Sequence, residues 1–108
     1  MNESDNCIFC KIIRGELPCQ KVYEDDYTLA FLTIQPRAEG HTLVVPKQHC
    51  RNIVDCPLEV LSHVMATVKR IAKEHVELYG FTQIVQNNEK PVKEVFHLHF
   101  HVVPYNHK

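Results

Sequence analysis

The stretch Phe96-His97-Leu98-His99-Phe100-His101-Val102-Val103 alternates imidazoles with bulky apolar side chains at a strict period of two. That alternation is the mark of a β-strand with one face in the core. Residues i, i+2 and i+4 of a strand share a face. His97, His99 and His101 are therefore expected along one surface, with Leu98, Phe100 and Val102 turned inward. A row of imidazoles on a rigid strand suits metal ligation, nucleophilic attack or phosphate binding. It is no affinity tag, because tags are neither interleaved with core residues nor followed by more strand. A half-exposed strand using histidine as its polar residue explains one or two such positions; three in register point to function.

The rest of the chain supplies partners for that strand. Cys7-Ile8-Phe9-Cys10-Lys11-Ile12-Ile13-Arg14-Gly15 places apolar residues as on a short helix, with Gly15 as its stop. Strands are expected over 21–24 and 27–33, joined by a turn at Asp25-Asp26, and over 41–45, ended by Pro46. Asp55 is the candidate N-cap of one long helix that carries Pro57 in its first turn and runs to about Tyr79, with Gly80 as C-cap. Its stripe of Leu58, Leu61, Val64, Met65, Val68, Ile71 and Ala72 has the spacing of a helix buried on one side. A fourth strand is expected over 81–85 and a polar loop over 86–94. Five strands with tight connections and one long helix define an α+β fold with a mostly antiparallel sheet.

At 108 residues the chain is expected to be a single domain, 1–108, with residues 1–6 a frayed terminus. The formal net charge of -1 argues against broad electrostatic binding to nucleic acid. No apolar run of about 18 residues is present, so no membrane partner is expected. Five cysteines leave an odd one, which fits a reducing, cytoplasmic location better than a disulfide framework.

Cys7-x-x-Cys10 alone is ambiguous among redox chemistry, zinc and two small buried hydrophobes. The redox reading lacks a preceding strand and a parallel βαβ pattern. Structural zinc wants four sulfur or nitrogen ligands, and His49 and His97 complete such a set. Zn2+ held there would tie the N-terminal helix to the sheet. Cys19, Cys50 and Cys56 read as core or surface thiols, and His41, His63, His75 and His107 as structural or solvated.

With Cys7-Ile-Phe-Cys10-Lys-Ile-Ile, Ala30-Phe31-Leu32, the run from Gly40-His41 through Pro46-Lys47-Gln48-His49, and the terminal histidine strand, the chain resembles the histidine triad (HIT) proteins from about Cys7 to Pro104. The resemblance implies a nucleotide-binding homodimer in which two five-stranded sheets join into one. It also implies a hydrolase or nucleotidyl transferase acting on the α-phosphate of phosphoramidates, dinucleoside polyphosphates or similar conjugates. His99 matches the nucleophile and His101 the histidine that donates to the phosphate. His97 matches a zinc ligand alongside Cys7, Cys10 and His49. Phe9, Ile12, Phe31 and Ile34 fall where relatives hold base and ribose, and Asn87, or else Asn88, where an asparagine meets the phosphate.

Two departures accompany the match. Thr33 stands where relatives carry an acid that grips the ribose hydroxyls. A shorter loop with Val92 and Lys93 replaces their Gly-Gln, leaving Lys93 as a cation in place of an amide fork. Weakened or redirected specificity is the expectation. Two rival readings remain: a binding module with little or no turnover, and a metalloenzyme in which His97, His99 and His101 hold a catalytic metal directly.

Overall fold

A computed structural model describes residues 7–34, 36, 38–79, 82–86 and 97–104. The expected frayed terminus, Gly80, the loop after Gln86 and His107 lie outside the described residues. Helix α1 (Ile8–Ile13) is capped by Cys7, whose Sγ accepts the Cys10 N–H at 3.3 Å. Gly15 adopts φ +82, the left-handed geometry that ends a helix cheaply only at glycine. Strands β1 (Gln20–Glu24) and β2 (Thr28–Leu32) pair antiparallel, with a register irregularity between Lys21 and Tyr23. Their turn is held by Asp25, whose Oδ1 accepts the N–H groups of Tyr27 and Thr28, each at 2.8 Å. This is the self-bonding that makes aspartate a turn residue.

β3 (Thr42–Pro46), α2 (Leu58–Tyr79), β4 (Thr82–Gln86) and β5 (Phe100–Pro104) complete a sheet in the order β1-β2-β3-β5-β4. All four pairings are antiparallel. The α+β class follows, with α2 crossing between β3 and β4.

Helix α2 packs Val60, Val64, Val68 and Ile71 against Ala30, Val44, Phe100 and Val102 on one face of the sheet. Helix α1 brings Phe9 and Cys10 against Leu29, Phe31, Leu43 and Val45 on the other. β2 and β3 are thus covered on both faces, which is why they read as unbroken apolar runs and not as alternation.

Three expectations need correction. Asp55 does not cap α2; its carboxylate accepts the Arg51 N–H at 3.0 Å, while the Pro57 carbonyl takes the first helical bond, from Leu61, at 2.9 Å. Leu58 is 78% exposed, while the other six residues of the expected stripe pack in or against the core, joined there by the buried Val60. The histidine segment is also not strand throughout. β5 begins at Phe100, since continuing its register with β3 would set Leu98 opposite Pro46, which has no N–H to give. The Leu98 N–H instead reaches the Cys50 carbonyl at 2.7 Å, so the segment stays extended outside the ladder.

Candidate active site and metal centre

The inward side chains of that segment, Leu98, Phe100 and Val102, are buried as their alternation requires. The imidazoles separate into two environments.

His97 is fully buried beside the buried Cys7 and Cys10 and the half-buried His49, and the four candidate donor atoms lie within 4.8 Å of one another. Its Nδ1 is 3.2 Å from Cys7 Sγ and 3.5 Å from Cys10 Sγ, and His49 Nδ1 is 3.1 Å from Cys10 Sγ. A tetrahedral ion with bonds of about 2.0–2.3 Å sets its donors roughly 3.3–3.8 Å apart, so the cluster is near the size of a closed site. The second shell agrees. His97 Nε2 donates to the Pro46 carbonyl at 2.9 Å, which leaves the Nδ1 lone pair toward the thiols.

Burial, then the hydrogen bond to Cys7, pushes the Cys10 thiol up to about 12. Burial likewise holds His97 down to about 4. A neutral imidazole is the ligand form, and a thiolate in so dry a place needs a cation beside it. The donor set therefore fits a tetrahedral metal ion. Among the described residues, His97 is the one member of the triad in such a cluster, which overturns the alternative of three triad histidines on one catalytic metal.

His99 stands apart. Its Nδ1 donates to the His97 carbonyl at 2.7 Å, fixing the tautomer and leaving the lone pair on Nε2. The Phe9 ring meets it edge-on at 5.1 Å, and the His101 ring lies 5.1 Å away at 73°. His101 Nδ1 is in turn 3.0 Å from Nε2 of the buried His41.

From the sequence, His41 is expected to be structural or solvated. What brings it to the site is topology. The register of β3 with β5 puts Leu43 opposite His101 and so leaves His41 diagonal to it on the same face. No local pattern carries that signal. His63 and His75 remain outside the site; one stacks on Tyr27 at 3.8 Å and the other reaches Thr82 Oγ1 at 3.3 Å.

A cavity of about 820 Å³ opens beside α1 and the ends of β2. Phe9, Ile12, Phe31, Thr33 and Ile34 all line it, so five residues assigned to base and ribose come together around one space. Phe9 is the shared wall, touching Phe31 at 5.8 Å and His99 at 5.1 Å. Cys19, read earlier as a plain thiol, also lines the cavity. Asn87, Asn88 and Lys93 lie outside the described residues.

An imidazole whose Nε2 has no hydrogen-bond partner among the described residues, a second histidine beside it and an apolar cavity alongside make up a histidine-centred candidate site next to a metal-type cluster. The HIT domain profile matches residues 14–108, and the chain belongs to the HIT family. It is similar to an adenosine 5'-monophosphoramidase of Saccharomyces cerevisiae, at 47% identity over 91% of this chain and 61% of that protein. It is also similar to an adenylylsulfatase of Arabidopsis thaliana, at 38% over 93% of this chain and 52% of that protein. Among solved structures, a zinc-bound histidine triad family protein from Mycobacterium smegmatis superposes with a TM-score of 0.85 at 39% identity, covering 94% of this chain and 76% of that one. No helix among the described residues is long and apolar enough to cross a membrane.

Proposed function

We propose that the protein is a nucleotide-conjugate hydrolase or nucleotidyl transferase that attacks an α-phosphate through His99. Nε2 of His99 forms a bond to phosphorus as the bond from phosphorus to the leaving group breaks. His101 supplies a proton to the departing atom and stabilises charge on the phosphoryl oxygens. Water, or another acceptor, then attacks the nucleotidyl-histidine and restores the free imidazole, so one hard displacement becomes two easier ones. Phe9, Ile12, Phe31, Thr33 and Ile34 hold the nucleoside, with Asn87 and Lys93 reaching the phosphate.

The observation that carries this reading is the 2.7 Å bond from His99 Nδ1 to the His97 carbonyl, which selects the tautomer whose lone pair lies on Nε2. The activities of the yeast and plant relatives, both on adenylyl compounds, support the substrate class.

Cys7, Cys10, His49 and His97 hold a structural Zn2+ in this reading, supported by the zinc-bound mycobacterial relative. The ion closes a four-ligand site and ties α1 to the sheet. The protein acts as a homodimer in the cytoplasm. Edge strand β4 with its exposed Ile84, and the exposed Val76 and Leu78 on α2, support the first. Five free thiols support the second.

The test is release of AMP from adenosine 5'-phosphoramidate. His99→Ala is expected to abolish release with metal content unchanged. Undiminished turnover in that variant would overturn the mechanism.

A further inference from the structure

Cys50 and Cys56 belong neither to the metal-type cluster nor to the chemistry proposed at His99, yet the fold sets them side by side. Both are free thiols in the core between α2 and the sheet, Cys50 1% and Cys56 8% exposed. Their side chains share a hydrogen bond. The turn between them is folded by two local side chains. Asn52 Oδ1 accepts the N–H groups of Val54 and Asp55, each at 3.0 Å, and Asp55 Oδ2 accepts the Arg51 N–H at 3.0 Å. Bonds of this kind bend the chain back on itself, and here they return Cys56 to Cys50.

The same turn carries the histidine segment. The Cys50 carbonyl takes the Leu98 N–H at 2.7 Å, and Leu98 stands between His97 and His99. The backbone at Cys50 is thus shared by the turn and by the segment that bears both imidazoles. We propose that Cys50 and Cys56 are an oxidisable dithiol, which a small hydroperoxide converts to a disulfide that fastens the turn on which this segment hangs. No step in the proposal uses His99, so it stands or falls apart from the nucleotide reading.

A buried thiol alone is inert. A pair differs, because once one sulfur is oxidised the other is already in place to displace oxygen from it. Cys56, the more exposed, reacts first. Its sulfur bonds to one peroxide oxygen as the O–O bond breaks, giving a sulfenic acid and an alcohol, or water from hydrogen peroxide. The Cys50 sulfur then attacks the Cys56 sulfur. The S–S bond forms, the S–O bond breaks and water leaves. The two thiols supply two electrons to the peroxide, and their two protons end in the alcohol and the water.

The experiment treats the zinc-loaded full-length chain with stoichiometric hydrogen peroxide, alkylates the remaining thiols in denaturant and maps tryptic peptides without reductant. Trypsin cuts after Lys47 and Arg51, which parts the two cysteines, so a bond between them joins peptides 48–51 and 52–69. The joined peptide is expected as the main product, with alkylatable thiols falling from five to three and dithiothreitol restoring all five. It should form about tenfold or more faster than any link to Cys7, Cys10 or Cys19. Cys50→Ala and Cys56→Ala should each abolish it, and the wild-type map decides the matter if either variant fails to fold. Hydrogen exchange at the Leu98 amide should slow by about threefold or more on oxidation of wild type and stay unchanged in peroxide-treated Cys56→Ala.

Five alkylatable thiols after peroxide, or a dominant link elsewhere such as Cys7 to Cys10, would overturn the dithiol assignment. Sulfinic acid on Cys56 with Cys50 still free would do the same. Equal Leu98 exchange in the reduced and the disulfide-bonded protein would overturn the fastening of the histidine segment.

Discussion

His97 and His99 sit two residues apart on one extended segment, yet the fold sets them in opposite environments. His97 is sealed inside, one nitrogen on the Pro46 carbonyl and the other among two thiols and a second imidazole. His99 is half-buried, one nitrogen on the His97 carbonyl and beside it the ring of Phe9, wall of an open cavity. Each has one ring N–H spent on a main-chain oxygen, so the neutral ring of each carries its lone pair on the other nitrogen. The residue type and the first hydrogen bond are the same. What differs is the company of the second nitrogen, and that separates the metal-ligand candidate from the proposed nucleophile.

The comparison breaks most sharply in paired variants. His99→Ala should lower turnover of an adenosine phosphoramidate by about 10⁴-fold or more, with metal content and melting temperature close to wild type. His97→Ala should instead lose the metal and much of the stability. Atomic absorption and calorimetry on the two proteins separate the cases, and matching losses of metal would erase the distinction.

Removing the metal probes the sealed half alone. Chelation, or Cys10→Ser, should lower the melting temperature by on the order of 10 °C or more, because the buried donor set then lacks the cation that balances it. A chelated protein that melts as before would show that the cluster stands without an ion.

Leu98, between the two histidines, is buried against the α2 side of the sheet. Leu98→Ala should cost about 2–5 kcal/mol by transfer loss and cavity formation, read from urea midpoints, without loss of the metal.

His75 gives a third environment, away from both clusters. Burial holds its pKa below the ordinary value of 6.5. Below pH 6.5 the unfolded chain therefore binds the proton more readily, and stability falls as pH drops from neutrality toward the lowered native pKa. Replacing His75 with Gln should flatten that slope between pH 7 and 5, and an unchanged slope would assign the acid sensitivity elsewhere.

Much of this is legible in the amino-acid sequence. Strict alternation over 97–102 carried the inward side chains correctly, because strand period is a local property. Cys7, Cys10, His49 and His97 were legible as one donor set from chemistry, since few side chains close a tetrahedral site. Six of the seven residues read as the helix stripe pack on the core, and Leu58 alone does not; Val60 in the same turn is buried in its place. The start of β5 and the role of His41 were out of reach for one reason. Both depend on β3 lying beside β5, a contact across more than fifty residues that no window on the chain contains. Asp55 failed as a cap because a nearer N–H, that of Arg51, competes for its carboxylate.

The most direct test is acid-quench trapping with an activated adenylyl phosphoramidate, followed by peptide mass spectrometry. One adenylyl group is expected on His99, absent in His99→Ala and present in His101→Ala at a reduced rate. An adduct on His97 or His101, or turnover with no protein-bound nucleotide at any time point, would contradict it.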